Sequence, residues 1–445
     1  MSLDVSNALA APLTSTSQLV DTFRTAEKPV EAHRLGLEHE KLLYAVGSAE
    51  AVTYEGPRGI GAVLEALAGE EGEAFREAPD RPVIALRSGD RTVTLEPGGQ
   101  FEHAGSPFRT AREADAENRQ HLGRLKHAAA KLGLRVVMLG YRPAGRTSDV
   151  GWMPKSRYQA MRETLGTRGP LALHMMLMTA TSQVSLDFSS EADCARKMTV
   201  ASRTAPLLVA LFANSTIVEG QPSAYKSYRS HVWTGVDSAR CGFFATMLDG
   251  SFSYAKYVAW ALEAPVLFLR RGGRYLTPRM TFGDLMTQGW EGKPLTEDDW
   301  LDHLSTLFPE VRLKRVLEIR SADSGSAEMT GALGALMRGQ LYDAMALGEV
   351  ETLLPVPSLA QQQEFMAIAR RDGLNGVYAG RRLQAWAKEW LDMVERGLRR
   401  IDVADVPLLA PLRARVESGC SPADDTLALW KASPSVETVL ANATL

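Results

Sequence analysis

The hydrophobic and polar positions of this chain alternate in several short runs, which predicts β-strands separated by segments of helical pattern. Strand-like runs occupy residues 34–46, 83–88, 91–97, 100–104 and 134–141. Helical patterns cover residues 17–26, 58–69 and 109–133, and the last of these ends at a glycine. The first third of the chain is therefore predicted to mix strands and helices.

The middle of the chain has a clear period-two pattern. The polar residues at 181, 183, 185 and 187 alternate with mostly apolar ones, so this predicted strand has one polar face. Ser190, three residues before Asp193, has the form of a capping box and predicts a helix toward residue 214. A helix at 296–308, a strand at 314–323 and a mostly helical pattern after about residue 329 complete a predicted α+β fold.

Composition and charge narrow the class of protein. The 445 residues carry a formal net charge of -3, which gives no general attraction to nucleic acid. No run approaches the roughly 18 apolar residues of a membrane helix, and residues 1–20 lack the pattern of a secretion signal. Three widely separated cysteines form neither a metal motif nor a disulfide framework. We expect a cytoplasmic protein with free thiols, without nucleic-acid or membrane partners, as a monomer or homodimer.

Acidic residues fall on shared faces of two predicted strands. Glu38 and Glu40 are two positions apart and so project from one face, where a divalent cation would relieve their repulsion. An exposed strand face would also tolerate them. Glu318 and Arg320 share a face of the strand at 314–323, either as a surface pair or as a metal ligand beside a phosphate-binding guanidinium.

A third acidic segment is 92-TVTLEPGGQFEHAGSP-107. Glu96 and Glu102 flank a Pro-Gly-Gly break that must bulge or turn the strand. Three segments far apart in sequence thus place acids on strand faces. The convergent interpretation is a polar sheet face that holds more than one Mg²⁺, most simply to bind a nucleoside triphosphate.

Basic residues supply the complementary charge. Lys155 and Arg157 lie in 153-MPKSRY-158, and Arg229 and Arg240 lie in 227-SYRSHVWTGVDSAR-240. Arginine binds carboxylate and phosphate oxygens through two parallel hydrogen bonds, although single basic residues are more often solvated surface. The chain has no Walker-type phosphate loop, catalytic triad or zinc motif.

Several long motifs resemble the plant-type glutamate–cysteine ligases of plants and many bacteria. They include GLEHEK (36–41), TLEPGGQFEHAGSP (94–107), QVSLDFSSEAD (183–193), RSHVWTGVDSAR (229–240) and FPEVRLKRVLEIRSAD (308–323). The resemblance runs in order from about residue 30 to 350. It implies a six-stranded-type antiparallel sheet curved into a funnel with helices outside, as in glutamine synthetase and the guanidino kinases.

The resemblance also implies a reaction. ATP would phosphorylate the γ-carboxylate of glutamate, and the amine of cysteine would displace phosphate to give γ-glutamylcysteine, the first step of glutathione synthesis. The substrates would be glutamate, cysteine and ATP, with Mg²⁺ or alternatively Mn²⁺. A γ-glutamyl ligase that uses another amine, and a phosphotransferase like the guanidino kinases, remain as alternatives.

Motif matching assigns roles to individual residues. The metal ligands would be Glu38, Glu40, Glu96, Glu102 and Glu318. Arg320, with Glu318, would be catalytic, and Lys155, Arg157 and Arg320 would bind phosphate. Arg229, Arg240, Trp233 and Gln183 would bind substrate. Residues 1–30 would form an N-terminal extension with the first helix, and 31–445 a single catalytic domain in which 330–445 is a mostly helical C-terminal cover.

The chain also departs from the family pattern. His174 stands where the plant enzymes usually have Asp, and Ser321 stands where they usually have Gly. The three cysteines do not reproduce the regulatory pairs of the plant enzymes, so redox-switched activity is not expected.

Overall fold

The computed structural model describes residues 12–445. The part of the predicted N-terminal extension before residue 12 lies outside the described residues. The strands are β1 Leu35–Ala45, β2 Glu73–Phe75, β3 Ala85–Ser88, β4 Arg91–Leu95, β5 Phe101–Ala104, β6 Leu134–Val137, β7 Thr181–Leu186, β8 Ile217–Val218, β9 Gln221–Pro222, β10 Cys241–Gly242, β11 Leu269–Arg271, β12 Arg274–Leu276, β13 Phe308–Pro309, β14 Val311–Leu313, β15 Leu317–Asp323, β16 Val377–Tyr378 and β17 Arg381–Arg382.

Helices make up most of the remaining ordered structure. They are α1 Thr16–Arg24, α2 Ile60–Leu67, α3 Ala111–Lys131, α4 Ser156–Thr164, α5 Ala172–Met178, α6 Glu191–Phe212, α7 Tyr228–Val232, α8 Tyr254–Glu263, α9 Phe282–Gln288, α10 Glu297–Ser305, α11 Ala327–Leu341, α12 Ala344–Leu353, α13 Leu359–Asp372, α14 Leu383–Ile401, α15 Ala410–Ser418, α16 Pro422–Ala432 and α17 Val436–Asn442. Within residues 12–445, no helix combines the length and the apolar character needed to cross a membrane.

One large sheet organises the fold. Its strand order is β14-β15-β7-β1-β5-β4-β3-β2, and β6 pairs with the second half of β1. Neighbouring strands in this sheet are antiparallel, and the sheet is open, which confirms the predicted α+β class. The sheet has nine strands rather than the six implied by the resemblance, because short strands extend it at the β2 edge and along β1.

The two faces of the sheet differ in polarity. On one face, Leu35 and Leu37 of β1 lie with Val184, Leu186 and Ile319 in a core that also contains side chains of α6 and α11. The opposite face carries the alternate residues, including the acids of β1, β5 and β15. Alternation along each strand therefore separates a packed apolar face from a polar one.

The predicted start of the strand at residues 314–323 is wrong. Lys314 begins a turn in which its amide donates to the carbonyl of Val316 at 3.0 Å, so β15 starts only at Leu317. Before this turn, Val311–Leu313 form the separate strand β14, which the sequence did not indicate. The two strands make a hairpin, and this pairing brings an additional arginine into the site described below.

The first helix belongs to the main core. Phe23 of α1 is fully buried, with its ring centroid 5.5 Å from that of Tyr254 and 5.7 Å from that of Tyr257, both on α8. The division of the chain at residue 30 stays a prediction. Residues after 326 form α11 to α17 and one short hairpin, as the helical pattern predicted.

Helices α11 and α14 cross at two glycines. A Cβ added to Gly339 would lie 2.8 Å from Leu398 Cγ and 2.8 Å from the carbonyl oxygen of Val394. A Cβ added to Gly397 would lie 2.5 Å from the carbonyl oxygen of Gly339. Only glycine allows the two backbones to approach this closely.

We therefore expect Gly339→Ala to lower the free energy of unfolding by about 1–3 kcal/mol, because the added methyl group meets backbone that cannot move aside. Gly123→Ala is the matched control, since Gly123 lies in α3 with nothing within 4 Å of an added Cβ. That variant should gain about 0.5–1 kcal/mol from helix propensity. Urea denaturation measures both changes, and equal effects of the two variants would contradict the close crossing.

Candidate active site

Five predicted site residues are brought together by strand register alone. Glu40 of β1 is directly opposite Glu102 of β5, and Glu38 is directly opposite Gln183 of β7. β15 pairs with the other edge of β7, where Glu318 is directly opposite Ser185. Since facing residues on antiparallel strands point to the same side, these acids share the polar face of the sheet.

The Pro-Gly-Gly break positions Glu96. After β4 the chain turns, with the amide of Gly99 donating to the carbonyl of Glu96 at 2.9 Å. A Cβ on Gly98 would lie 2.4 Å from the carbonyl oxygen of Leu177, so the turn packs against backbone that only glycine can approach. The side chain of Gln100 donates to the carbonyl of Thr179 at 2.7 Å and holds the turn in place. This turn directs Glu96 toward Glu40 and Glu102.

One cavity of about 90 Å³, here called the carboxylate cavity, is lined by four carboxylates, those of Glu38, Glu40, Glu96 and Glu102. Its other walls come from α4, β7, β13 and the hairpin β14–β15, and they include Arg157, Gln183, Phe308, Arg312, Lys314 and Arg320. An adjoining space of about 80 Å³, here called the inner cavity, shares Glu40, Glu96, Met161, Phe308 and Arg320 with it and adds Arg229, Trp233, Met175 and Met176.

Burial and neighbouring like charges raise the pKa of three acids in this cavity. Burial, followed by the charges of Glu96 and Glu102, raises the pKa of Glu40 well above its ordinary value. Burial, followed by Glu96 and Glu38, raises the pKa of Glu102 to about 8. Burial also raises the pKa of Glu96, against the opposing charges of Lys155 and Arg157. Without a cation, burial and like charge therefore favour the protonated form of Glu102 near neutral pH.

Glu318 has the opposite environment. Its Oε2 accepts hydrogen bonds from Arg312 Nε at 2.7 Å and from Arg320 at 2.6 Å, and its Oε1 lies 3.0 Å from Lys314 Nζ. Burial alone would raise the pKa of Glu318, but these three cations hold it well below its ordinary value. Glu318 is therefore an ionised anchor for the basic side of the cavity.

Arg312 is the main site residue that the sequence reasoning missed. It faces Glu318 directly in the β14–β15 pairing, and its guanidinium also donates to the carbonyls of Ser305 and Leu307 at 3.0 and 3.1 Å. The signal was the Val311–Arg312–Leu313 alternation just before the turn. The assumption of one continuous strand from residue 314 left this segment out.

The remaining predicted residues divide into two groups. Arg320 donates to the side-chain oxygen of Gln183 at 2.7 Å, and its guanidinium lies 5.9 Å from the ring centroid of Trp233. Arg157 lines the carboxylate cavity and donates to Ser305 Oγ at 3.4 Å. Arg229 lines the inner cavity and donates to the carbonyl of Arg320 at 2.8 Å. These residues meet around the acids as predicted.

Arg240 and Lys155 are not brought to either cavity. Arg240 is fully buried, where it donates to Asp237 at 2.8 Å, to the Thr306 carbonyl at 3.1 Å and to the Pro265 carbonyl. Lys155 is also buried, and its ammonium donates to the Leu95 carbonyl at 2.7 Å and to Thr94 Oγ1. Both side chains support the backbone around the site, so direct contact with substrate is not what their positions favour.

The donor set suits a hard divalent cation. Oε1 of Glu96 and Oε1 of Glu102 are buried without a hydrogen-bond partner among the described residues. Carboxylate oxygens of this kind are the ligands that Mg²⁺ prefers. Across residues 12–445, however, no three acidic, histidine or cysteine side chains already stand together as a metal-binding group. The chemistry of the residues fits Mg²⁺, and the metal assignment stays a prediction.

Fold and cavity together define the class of protein. An open antiparallel sheet covered by helices presents acids and arginines in one cavity, an arrangement suited to reactions between anionic substrates. The chain belongs to glutamate-cysteine ligase family 2 (GCS2), whose family model matches residues 34–441, and it is a ligase.

Curated relatives agree over nearly the whole chain. Glutamate–cysteine ligase A, chloroplastic, from Oryza sativa subsp. indica is 36% identical over 427 residues, covering 95% of this chain and 86% of the relative. The chloroplastic glutamate–cysteine ligase of Arabidopsis thaliana is 35% identical over 423 residues, covering 94% and 80%. The expected cytoplasmic location is wrong on this finding, because these relatives are named chloroplastic.

A solved structure has the same fold. The glutamate–cysteine ligase of Francisella tularensis, crystallised in complex with AMP, superposes with a TM-score of 0.59 at 13% identity, covering 92% of this chain and 87% of that one. At this identity the similarity supports the fold alone. It agrees with the sheet-and-helix architecture that the resemblance implied.

The raised pKa of Glu102 predicts how stability depends on pH in the metal-free protein. The pKa of a glutamate in an unfolded chain is about 4.3, whereas that of Glu102 in the folded protein is about 8. Between these values the folded state binds the proton and the unfolded state does not, so stability falls as pH rises.

We expect Glu102→Gln, which cannot ionise, to raise the Tm at pH 8 in chelator by about 2–4 °C. At pH 5 the effect should be much smaller, because Glu102 is then already neutral in the folded protein. The exposed residue Glu70 provides the control variant Glu70→Gln. Thermal melts of the three proteins at both pH values would contradict the assignment if Glu102→Gln and the control responded alike.

Proposed function

We propose that this chain catalyses the ATP-dependent ligation of the γ-carboxylate of glutamate to the amine of cysteine, giving γ-glutamylcysteine. The observation that carries this proposal is the single cavity in which Glu38, Glu40, Glu96 and Glu102 face Arg157 and Arg320. Membership of the glutamate–cysteine ligase family and similarity to its plant members support the same reaction.

The first step joins two anions. A γ-carboxylate oxygen of glutamate attacks the γ-phosphorus of ATP, the bond to the β-phosphate oxygen breaks, and ADP leaves with that electron pair. Charge neutralisation is then the main task of the protein. Arg320 suits the transferring phosphoryl group, because Glu318 and Gln183 fix its guanidinium and leave it lining both cavities.

The acids would contribute to the same step by binding metal. Glu38, Glu40, Glu96 and Glu102 would hold Mg²⁺, with Glu318 as the fifth predicted ligand. Bound Mg²⁺ would neutralise phosphate charge and orient the triphosphate. Glu318 is already matched by Arg312, Lys314 and Arg320, so its role in the metal-free protein is to hold the arginines.

The second step forms the amide. The neutral amine of cysteine attacks the acyl carbon of γ-glutamyl phosphate, and the acyl carbon–oxygen bond breaks. Inorganic phosphate leaves with that electron pair, and the nitrogen releases one proton to phosphate or solvent. The inner cavity provides Arg229 for a substrate carboxylate and apolar walls from Trp233 and three methionines. Because Arg320 lines both cavities, it lies where the two steps meet.

The direct test is ADP release by the purified chain with Mg-ATP and glutamate across a panel of amines, with mass spectrometry of the products. We expect turnover to require glutamate, to depend on cysteine, to yield γ-glutamylcysteine and to stop in EDTA. Turnover with another amine alone would keep the ligase chemistry and replace cysteine as the acceptor. No ADP release with any acceptor would contradict the proposal.

Arg320→Lys tests the role of the guanidinium. Lysine keeps the charge but loses the planar fork that contacts Glu318 and Gln183 together, so we expect kcat to fall about 100-fold with little change in Tm. Arg315→Lys is the matched control, since Arg315 lies in the same hairpin with its side chain 61% exposed. Normal turnover in Arg320→Lys would move Arg320 to a structural role.

A further inference from the structure

Arg229 reaches the inner cavity from a very short helix. The helix α7 spans only Tyr228–Val232, and a helix of this length is not stable by itself in water. The guanidinium of Arg229 is buried and donates from Nη2 to the carbonyl of Arg320 at 2.8 Å. The orientation of Arg229 therefore depends on the groups that hold the start of α7.

Asp323, the last residue of β15, holds that start. Its carboxylate is 1% exposed and accepts hydrogen bonds from the amide of Asn214 at 2.8 Å, from Ser215 Oγ at 2.6 Å and from Ser227 Oγ at 2.8 Å. A Cβ added to Gly140 would lie 2.6 Å from Cβ of Asp323, so the backbone of this glycine packs closely against the aspartate. The carboxylate is fixed on several sides.

Two serine hydroxyl groups connect Asp323 to α7. Ser227 is the N-cap of α7, and its Oγ accepts from the amide of Ser230 at 3.1 Å. Ser215 Oγ accepts from the amide of Arg229 at 3.0 Å. A hydroxyl that accepts from an amide still has its proton to donate, and both serines donate it to Asp323. The carboxylate thus fixes the direction of both hydroxyl groups and, through them, the backbone at Arg229.

Asp323 is also a countercharge for Arg229. Its Oδ1 lies 3.9 Å from Nη1 of Arg229, and the two side chains are 1% and 4% exposed. Burial lowers the pKa of Arg229, and Asp323 is the foremost of the negative charges that oppose this effect. A separation of 3.9 Å is too long for a hydrogen bond. Asp323 therefore stabilises the charge of Arg229 without accepting a hydrogen bond from its Nη1.

We propose that Asp323 is a positioning residue, which holds Arg229 in the orientation that receives a substrate carboxylate in the inner cavity. This inference rests on the proposed function, which places a substrate carboxylate at Arg229. The strand β15 then positions two guanidinium groups. It carries Arg320 directly, and it holds Arg229 through the Arg320 carbonyl and through Asp323 three residues later.

Steady-state kinetics of Asp323→Asn test the proposal. Asparagine keeps the volume but replaces one carboxylate oxygen by an amide that donates and cannot accept. We expect KM for one amino-acid substrate to rise at least about tenfold, while kcat and KM for ATP change less than about threefold, because the loss concerns the grip on one carboxylate. An unchanged KM for both amino acids would overturn the proposal.

A double-mutant cycle connects this effect to Arg229. Arg229→Gln should raise KM for the same amino acid as Asp323→Asn, because both variants weaken the same contact. Adding Asp323→Asn to Arg229→Gln should raise that KM less than about twofold further. Effects that multiply in the double variant would show that Asp323 acts independently of Arg229 and would overturn the positioning role.

Asp187→Asn is the matched control. Asp187 is also buried, and it follows β7 at the end opposite to the residue that pairs with Asp323. It accepts from Lys28 Nζ and from the amide of Arg34, both at 2.8 Å, and it lines neither cavity. We expect this variant to lower the Tm and to leave each KM unchanged. An equal rise of KM in Asp187→Asn would assign the effect to general loss of packing.

Thermal melts separate this proposal from the proposed function. Absence of turnover by the wild-type chain would contradict the proposed function, and the melts would still measure the contact between Asp323 and Arg229. We expect the double variant to lose at least about 1 °C less in Tm than the sum of the two single losses. Additive losses would overturn the contact.

Ser215→Ala keeps the proposal falsifiable if Asp323→Asn does not fold. This change removes the hydroxyl that links Asp323 to the amide of Arg229, so KM for the same amino acid should rise about threefold. Ser202→Ala is its control, a buried serine of α6 whose hydroxyl contacts Met198 Sδ at 3.9 Å. Equal KM values in the two serine variants would overturn the proposal.

Discussion

Acidic side chains placed together on a buried face of a sheet repel one another and lose hydration, and the whole site depends on how that cost is met. The chain meets it fully for Glu318, which three cations surround. It offsets this cost only in part for three glutamates of the carboxylate cavity, because burial raises the pKa of Glu40, Glu96 and Glu102 despite nearby cations. A cation supplied from outside is the simplest remedy, so a cost in folding becomes a driving force for binding.

The sheet makes this concentration of charge possible because its other face is a packed core. Leu35 and Leu37 alternate with Glu38 and Glu40 along β1, so the residues that bury apolar surface also fix where the acids point. Register then sets the spacing between strands, since Glu40 faces Glu102 across a single pairing. The geometry of the acids is therefore a property of the backbone rather than of mobile side chains.

The sequence predicted those parts of the site that periodicity controls. Glu38, Glu40, Glu102 and Gln183 alternate along strands, and the paired register places them together. The position of Glu96 depends on a turn, which the Pro-Gly-Gly sequence predicts. Arg312 was missed because the hairpin turn at Lys314 was interpreted as strand. Nothing in the sequence distinguishes Arg240 and Lys155 from Arg157. Only the tertiary structure shows that Arg240 and Lys155 donate their hydrogen bonds to backbone carbonyls. Composition did not determine cellular location, because no packing constraint links the two.

The carboxylate cavity combines acidic and basic side chains. Arg157, Arg312, Lys314 and Arg320 line this cavity together with Glu38, Glu40, Glu96 and Glu102. A triphosphate bound there would meet cations held by the glutamates as well as the guanidinium groups, so both would neutralise its charge. The γ-carboxylate of glutamate could then approach phosphorus without crossing a field of like charge. Glu318 makes this possible, because it holds Arg312 and Arg320 close together despite their mutual repulsion.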